Sequence, residues 1–270
     1  MYGIAAALVA TLAFSINAPL VRAATLRGVS PTALVTIRNI TALAILLPFT
    51  NYKFDLEVAA IAAASAILGP GLGDYAYFKA IKQSGVATAV TIGYTYIFTT
   101  QIFTSAIGLE SPTTYTLIGA ALAFGGISIA LGGRINKGGV LYGAVASISW
   151  GAASALLGLV SKEASPYTIA VIRSAALIPL FLPFTNFRVF TTSGVLYATA
   201  SGVVGLAIGS IAFIQSMALI GVAATVVATS LTPILSQILD RAINKESISP
   251  KHILGATLVS LGVVITVMNN

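Results

Sequence analysis

The chain contains no cysteine, which excludes disulfides, thiol chemistry and cysteine-based metal sites. Histidine is nearly as scarce, with His252 the only one. It follows a loop and precedes an apolar run, a place for a solvated or headgroup-facing ring rather than a ligand. Charge is also in short supply. Only 8% of the 270 residues are Asp, Glu, Lys or Arg, against about 25% in a soluble domain. That is too little polar surface to cover a water-soluble globule. Clustered metal ligands, a Gly-rich phosphate loop and a nucleophile–base arrangement are all missing from the sequence. An enzyme is therefore not expected, and a lipid-modifying enzyme would need acidic or histidine side chains gathered at one membrane face.

What the chain has is apolar length. Hydrophobic residues make up 57% of it, in runs such as 117–131 and 194–214 rather than in narrow stripes. A helix that is apolar all round for about 20 residues is lipid-exposed or buried among similar helices. Backbone groups in hydrocarbon must be paired within the spanning element, so the choices are helices or a closed barrel. The runs lack the alternation of barrel strands, so an all-α integral membrane protein is predicted. The net charge of +7 comes from 14 Lys and Arg scattered between apolar runs. It reads as orientation in the bilayer rather than as a nucleic-acid surface. No basic segment precedes the first run, which reads as a retained helix rather than a cleaved signal.

Loop residues divide the chain into ten predicted spans, at about 2–22, 31–50, 56–80, 86–107, 112–132, 139–160, 166–184, 192–218, 222–243 and 250–268. Ser30-Pro31, Ser111-Pro112, Ser165-Pro166 and Ser249-Pro250 each offer a capping hydroxyl followed by a proline at the first helical position. The halves repeat one another. Pro48-Phe49-Thr50-Asn51 recurs 135 residues later as Pro183-Phe184-Thr185-Asn186, and Arg38 recurs at the same offset as Arg173. At an offset of 136, Gly85-Val86-Ala87 recurs as Gly221-Val222-Ala223, Gln101 as Gln237, Glu110-Ser111 as Glu246-Ser247 and Gly119-Ala120 as Gly255-Ala256. Residues 1–135 and 136–270 are thus expected to be two five-helix repeats. Five is odd, so the second copy would enter from the opposite side, giving inverted repeats around a central cavity. Loop charge sets Arg22, Arg27, Lys79, Lys82, Arg134, Lys137, Arg188, Arg241, Lys245 and Lys251 against Lys53 and Lys162. The first group marks the cytoplasmic side, which puts both termini outside the cell membrane.

These anchors resemble the EamA family of the drug/metabolite transporter superfamily, over nearly the whole length and twice. The family's opening glycine, aromatic-Gly pair and second-helix arginine look like Gly139, Trp150-Gly151 and Arg173. In the first half they look like Gly3, Phe14-Ser15 and Arg38, with the aromatic-Gly pair degraded. The later pattern resembles Gly73, Gly85, Glu110, Gly119 and Gly126, repeated as Gly209, Gly221, Glu246, Gly255 and Gly262. The fourth-helix proline is Pro233, whose counterpart is Ile97. The resemblance implies a ten-helix exporter or exchanger with a cavity lined mainly by helices 1, 3, 4, 6, 8 and 9. The first helix carries no acidic residue, which sets the chain apart from small multidrug antiporters, where a first-helix Glu is shared by protons and cations.

Polar groups deep in a span need a partner or a role, because an Arg at the helix centre costs about 2.5–3.5 kcal/mol on translocon scales. Arg38 and Asp74 fall at similar depth by helical rise. They form either a permanent pair or a site where a substrate anion competes with Asp74. Asp74 is also the natural proton site if transport is proton-coupled. Arg173 has Ser210 where that carboxylate would be. It either snorkels to the interface or meets a substrate carboxylate or phosphate. Asn17, Tyr77, Tyr94, Gln101, Trp150, Gln215, Thr232 and Gln237 are further candidates for the cavity wall, the alternatives being interhelical hydrogen bonds and interfacial anchoring. Pro233 is a candidate hinge. The expected function is secondary transport of a small polar metabolite such as an amino acid, without a bound cofactor, by a monomer or homodimer in the lipid bilayer. A nucleotide-sugar or drug transporter of the same fold is the alternative, and a passive channel a more distant one.

Overall fold

The computed structural model describes residues 1–51, 53–131, 137–186, 191–243 and 250–268. Every regular element among them is helical. The α-helices are α1 (Tyr2–Leu26), α2 (Pro31–Leu46), α3 (Leu56–Ala66), α4 (Asp74–Gly93), α5 (Tyr96–Ala106), α6 (Thr114–Leu131) and α7 (Lys137–Val160). They continue as α8 (Pro166–Phe181), α9 (Thr192–Ser201), α10 (Ser210–Ile220), α11 (Val222–Ala228), α12 (Thr232–Ile243) and α13 (Pro250–Met268). A widened π-helical segment, Ile67–Gly73, joins α3 to α4, and Gly202–Gly209 joins α9 to α10. Among the described residues six helical stretches can cross a bilayer by length and composition: Tyr2–Leu26, Pro31–Phe49, Leu56–Ser84, Gly138–Val160, Pro166–Phe184 and Thr192–Ile220. Thr114–Ile129, Val222–Ser236 and Ile253–Thr266 are shorter apolar helices. The outer surface exposes Leu8, Leu12 and Ile16 on α1 and Leu254, Leu261 and Val264 on α13, while Thr11, Ser15, Arg38 and Asn39 are buried. Apolar outside and polar within is the distribution that lipid selects.

Local chemistry accounts for the helix starts. Ser30 and Ser165 accept hydrogen bonds from the amides of Ala33 and Thr168, with Pro31 and Pro166 at the first helical position. The cap expected at Ser111 lies two residues on. Thr113 accepts the Thr116 amide, so α6 begins at Thr114. Ser249 and His252 fall outside the described positions or side chains, as do Arg134, Lys137, Arg188, Arg241, Lys245 and Glu246.

The loop expected at 81–85 is also different. The backbone stays helical to Gly93, so Lys79 and Lys82 lie on α4. The helix is nevertheless bent along its length. Gly73 and Gly93 both lie against the Trp150 indole, whereas a straight helix of that length would hold them about 30 Å apart.

The halves pack by exchange. Helix α1 lies against α9, α10 and α12, and α7 lies against α3, α4 and α5; α2 packs on α8 and α6 on α13. The α6–α13 contact runs antiparallel, with Gly119 on Gly262 and Gly126 on Gly255. Backbones touch because neither side carries a Cβ. The repeated Pro-Phe-Thr-Asn segments also dock across. The Thr168 hydroxyl donates to the Asn51 carbonyl at 3.0 Å, and Thr185 and Thr36 share a hydroxyl bond of 2.7 Å.

Candidate functional site

A cavity of about 160 Å³ lies where the halves meet, and both halves line it. The π segments bring their glycines to its wall, Gly69 with Pro70 from one half and Gly205 with Leu206 from the other. Proline is present only in the first of these segments, so it is not their shared cause. What they share is close approach. A Cβ on Gly69 would stand 3.2 Å from Nη2 of Arg173, and a Cβ on Gly205 would stand 3.2 Å from Nη2 of Arg38. Each missing side chain makes room for an arginine of the opposite half.

Arg38 is 3% exposed and donates from Nη1 to Oδ2 of Asp74 at 2.7 Å. Its guanidinium also lies over the Phe78 ring. The other oxygen, Oδ1, accepts from Nε1 of Trp150 at 3.0 Å. One carboxylate therefore ties α2, α4 and α7 together. Arg173 is 9% exposed and lines the same cavity. Its Nε is buried without a partner among the described residues, and Asp74 reaches it only as a longer-range electrostatic attraction. Rings of Tyr77, Tyr94 and Tyr96 surround Trp150 at centroid distances of 5.0, 6.3 and 5.9 Å. Asn17 accepts from the Ser201 hydroxyl at 2.6 Å, again across the halves.

Helix breaks reach the cavity from both sides. In the second half a 3-10 turn, Thr229–Leu231, precedes α12, with Pro233 in its first turn. In the first half α4 and α5 part at Tyr94 and Thr95, although Ile97 stands in place of the proline. Matching positions 11 and 147, on the first helix of each half, hydrogen-bond to residues at the break in the opposite half. Thr11 of α1 donates to the Ala228 carbonyl, and Thr95 and Thr99 of the first half donate to Ser147 of α7.

The model of the EamA-like transporter family matches residues 1–132 and again residues 137–268. The chain belongs to this family. An "Uncharacterized transporter" of Archaeoglobus fulgidus is 25% identical to it over 225 residues, covering 82% of this chain and 80% of that one. A solved crystal structure superposes with a TM-score of 0.80 at 17% identity, covering 99% of this chain and 97% of the other, which establishes a common fold. The chain is thus a multi-pass membrane transporter of the EamA type.

Of the residues expected at the cavity of this EamA protein, Asn17, Arg38, Asp74, Tyr77, Tyr94, Trp150, Arg173, Thr232 and Pro233 line it. Gln101 and Gln215 do not. Gln101 is buried in α5 away from the cavity, with both amide atoms lacking partners among the described residues. The Gln237 side chain lies outside the described set. Sequence reasoning missed Phe14, Phe78, Tyr96, Phe213, Ser210 and Ser236. Two signals pointed to some of them: Phe14 is the repeat counterpart of Trp150, and Ser210 that of Asp74.

Proposed function

We propose that this EamA protein is a secondary transporter that exports or exchanges a small polar metabolite, the class to which amino acids belong, by alternating access. In this reading residues 1–135 and 136–270 are inverted five-helix repeats, giving ten spans with both termini outside the cell membrane. Asn17, Arg38, Asp74, Tyr77, Tyr94, Trp150, Arg173 and Thr232 contact the solute, and Pro233 marks a moving segment. The observation that carries the reading is the cavity between the halves, furnished by both and lined by Arg173, whose Nε is buried without a partner among the described residues. The antiparallel meeting of α6 with α13 supports the inversion, because they are the same helix of each repeat. Arg27, whose carbonyl accepts from Thr191 and whose guanidinium covers the Tyr197 ring, supports a shared face for the end of the first span and the start of the eighth.

Reconstitution in proteoliposomes tests the proposal. A metabolite panel is offered with and without a proton gradient, and with unlabelled solute inside. Saturable uptake stimulated by counterflow is expected. Uptake driven by the gradient would identify proton coupling, with Asp74 as the proton site. If no solute moves under any gradient, the reading is wrong; unsaturable flux would make the protein a channel.

A further inference from the structure

The two halves furnish the cavity unequally. Arg38 of the first half meets Asp74 of the same half, and Trp150 of the second half completes that carboxylate. The repeat counterparts of these three residues are Arg173, Ser210 and Phe14, and all three line the same cavity. They are also packed alike, Trp150 lying on Gly73 and Phe14 on Gly209. The Arg173 side of the cavity therefore has the arginine but, at the equivalent positions, neither the carboxylate nor an indole N–H.

Resting on the transporter reading, we propose that the solute is an organic monoanion, a carboxylate on an aromatic or branched apolar body, whose carboxylate sits beside Arg173 and Ser210 where the first half has Asp74. Charge leads to this class. Among the described residues the cavity wall holds two guanidinium groups and one carboxylate, a net of one positive charge. A buried guanidinium without a counter-ion is strongly unfavourable, so one negative charge completes the site. Planar forks suit carboxylates, and the Ser210 hydroxyl adds a donor. A zwitterion fits less well. Both Asp74 oxygens already accept hydrogen bonds, and among the described residues no second carboxylate lines the cavity to meet an ammonium group. Aromatic rings, among them Tyr77, Tyr94, Tyr96, Trp150 and Phe213, make up much of the remaining wall, interspersed with Asn17, Thr232 and other small polar and aliphatic residues. Apolar cavities of about 150 Å³ admit a benzene ring, which sets the scale of the body at roughly one ring.

Three probes with one body separate the chemistries: 3-phenylpropionate, phenylalanine and 2-phenylethylamine. Each is titrated calorimetrically into the purified full-length protein and offered to proteoliposomes. The carboxylate is expected to bind about tenfold or more tighter than the other two and to be moved. Ser210→Asp supplies the missing carboxylate internally. It is expected to abolish 3-phenylpropionate binding while leaving the melting temperature unchanged or higher. Arg173→Gln is expected to weaken carboxylate binding by about 10- to 100-fold, the worth of a charge-assisted hydrogen bond. Equal or tighter binding of the amine or the zwitterion overturns the proposal, as does full carboxylate binding by Ser210→Asp. Should Ser210→Asp fail to fold, Arg173→Gln decides, and unchanged affinity there overturns the proposal. Movement of other panel solutes but not the carboxylate would sink this inference and leave the transporter reading standing. Movement of nothing would sink both.

Discussion

Asp74 carries three helices on two oxygen atoms, and its removal should show what that is worth. Asp74→Asn keeps the shape but leaves Arg38, 3% exposed, without its counter-ion. Breaking a buried pair by removing one partner costs about 3–5 kcal/mol. A large fall in thermal stability in detergent is expected, and the exchange Arg38→Asp with Asp74→Arg should recover part of it. If Asp74→Asn melts like the parent protein, the pair is not what holds α2 to α4. The Arg38–Asp74 pair was legible in the sequence because depth along a helix is a matter of counting residues. Which way a helix faces is a different matter. A soluble helix shows its buried side as an apolar stripe, but here the lipid side and the packed side are both apolar. Hence Gln101 stood among the cavity candidates, whereas Tyr96, five residues before it, did not. Gln101 is buried away from the cavity, and Tyr96 lines it, its hydroxyl bonded to Thr229.

At the scale of helices, stability rests on where a Cβ is absent. Gly126 faces the Gly255 carbonyl so closely that an added Cβ would stand 2.5 Å from it, whereas Gly125 has open space at that position. Gly126→Ala must push α6 and α13 apart and should cost about 1–3 kcal/mol, as overpacking does. Gly125→Ala should be neutral or slightly stabilising in the same melting experiment. Equal effects would mean the glycine contact is not tight. A second device is a cap supplied from afar. Gly221, at φ +82°, turns the chain into α11, and the Glu110 carboxylate accepts the Val222 and Ala223 amides at 2.7 and 2.9 Å. Those amides have no partner within the helix. Glu110→Ala should therefore destabilise by about 0.5–2 kcal/mol, and Glu110→Gln by less, since it keeps an acceptor. The repeat had flagged Glu110 and Gly221 as anchors, but not that the first serves the second. Repeat offsets relate each residue to its own copy; contacts between copies appear only once the halves are packed.

At the scale of the molecule, the arrangement is one of exchanged partners. Each half lends its first helix to the other's third and fourth, and each Pro-Phe-Thr-Asn segment docks on the opposite half. The proposed alternating access requires the halves to move against each other, and the absence of native cysteine makes that testable. Thr36 and Thr185 touch across the halves with their hydroxyl oxygens 2.7 Å apart. A cysteine pair there is near disulfide reach, where the sulfurs bond at about 2.0 Å. Thr36→Cys with Thr185→Cys should transport while reduced. After oxidation it should still bind solute but lose counterflow, and reductant should restore it, because binding needs one arrangement of the halves and transport needs two. Transport that continues with the disulfide fully formed would mean the halves do not rock about this contact. The motion would then belong to the broken segments around Tyr94–Thr95 and Thr229–Leu231, which face the cavity from either half.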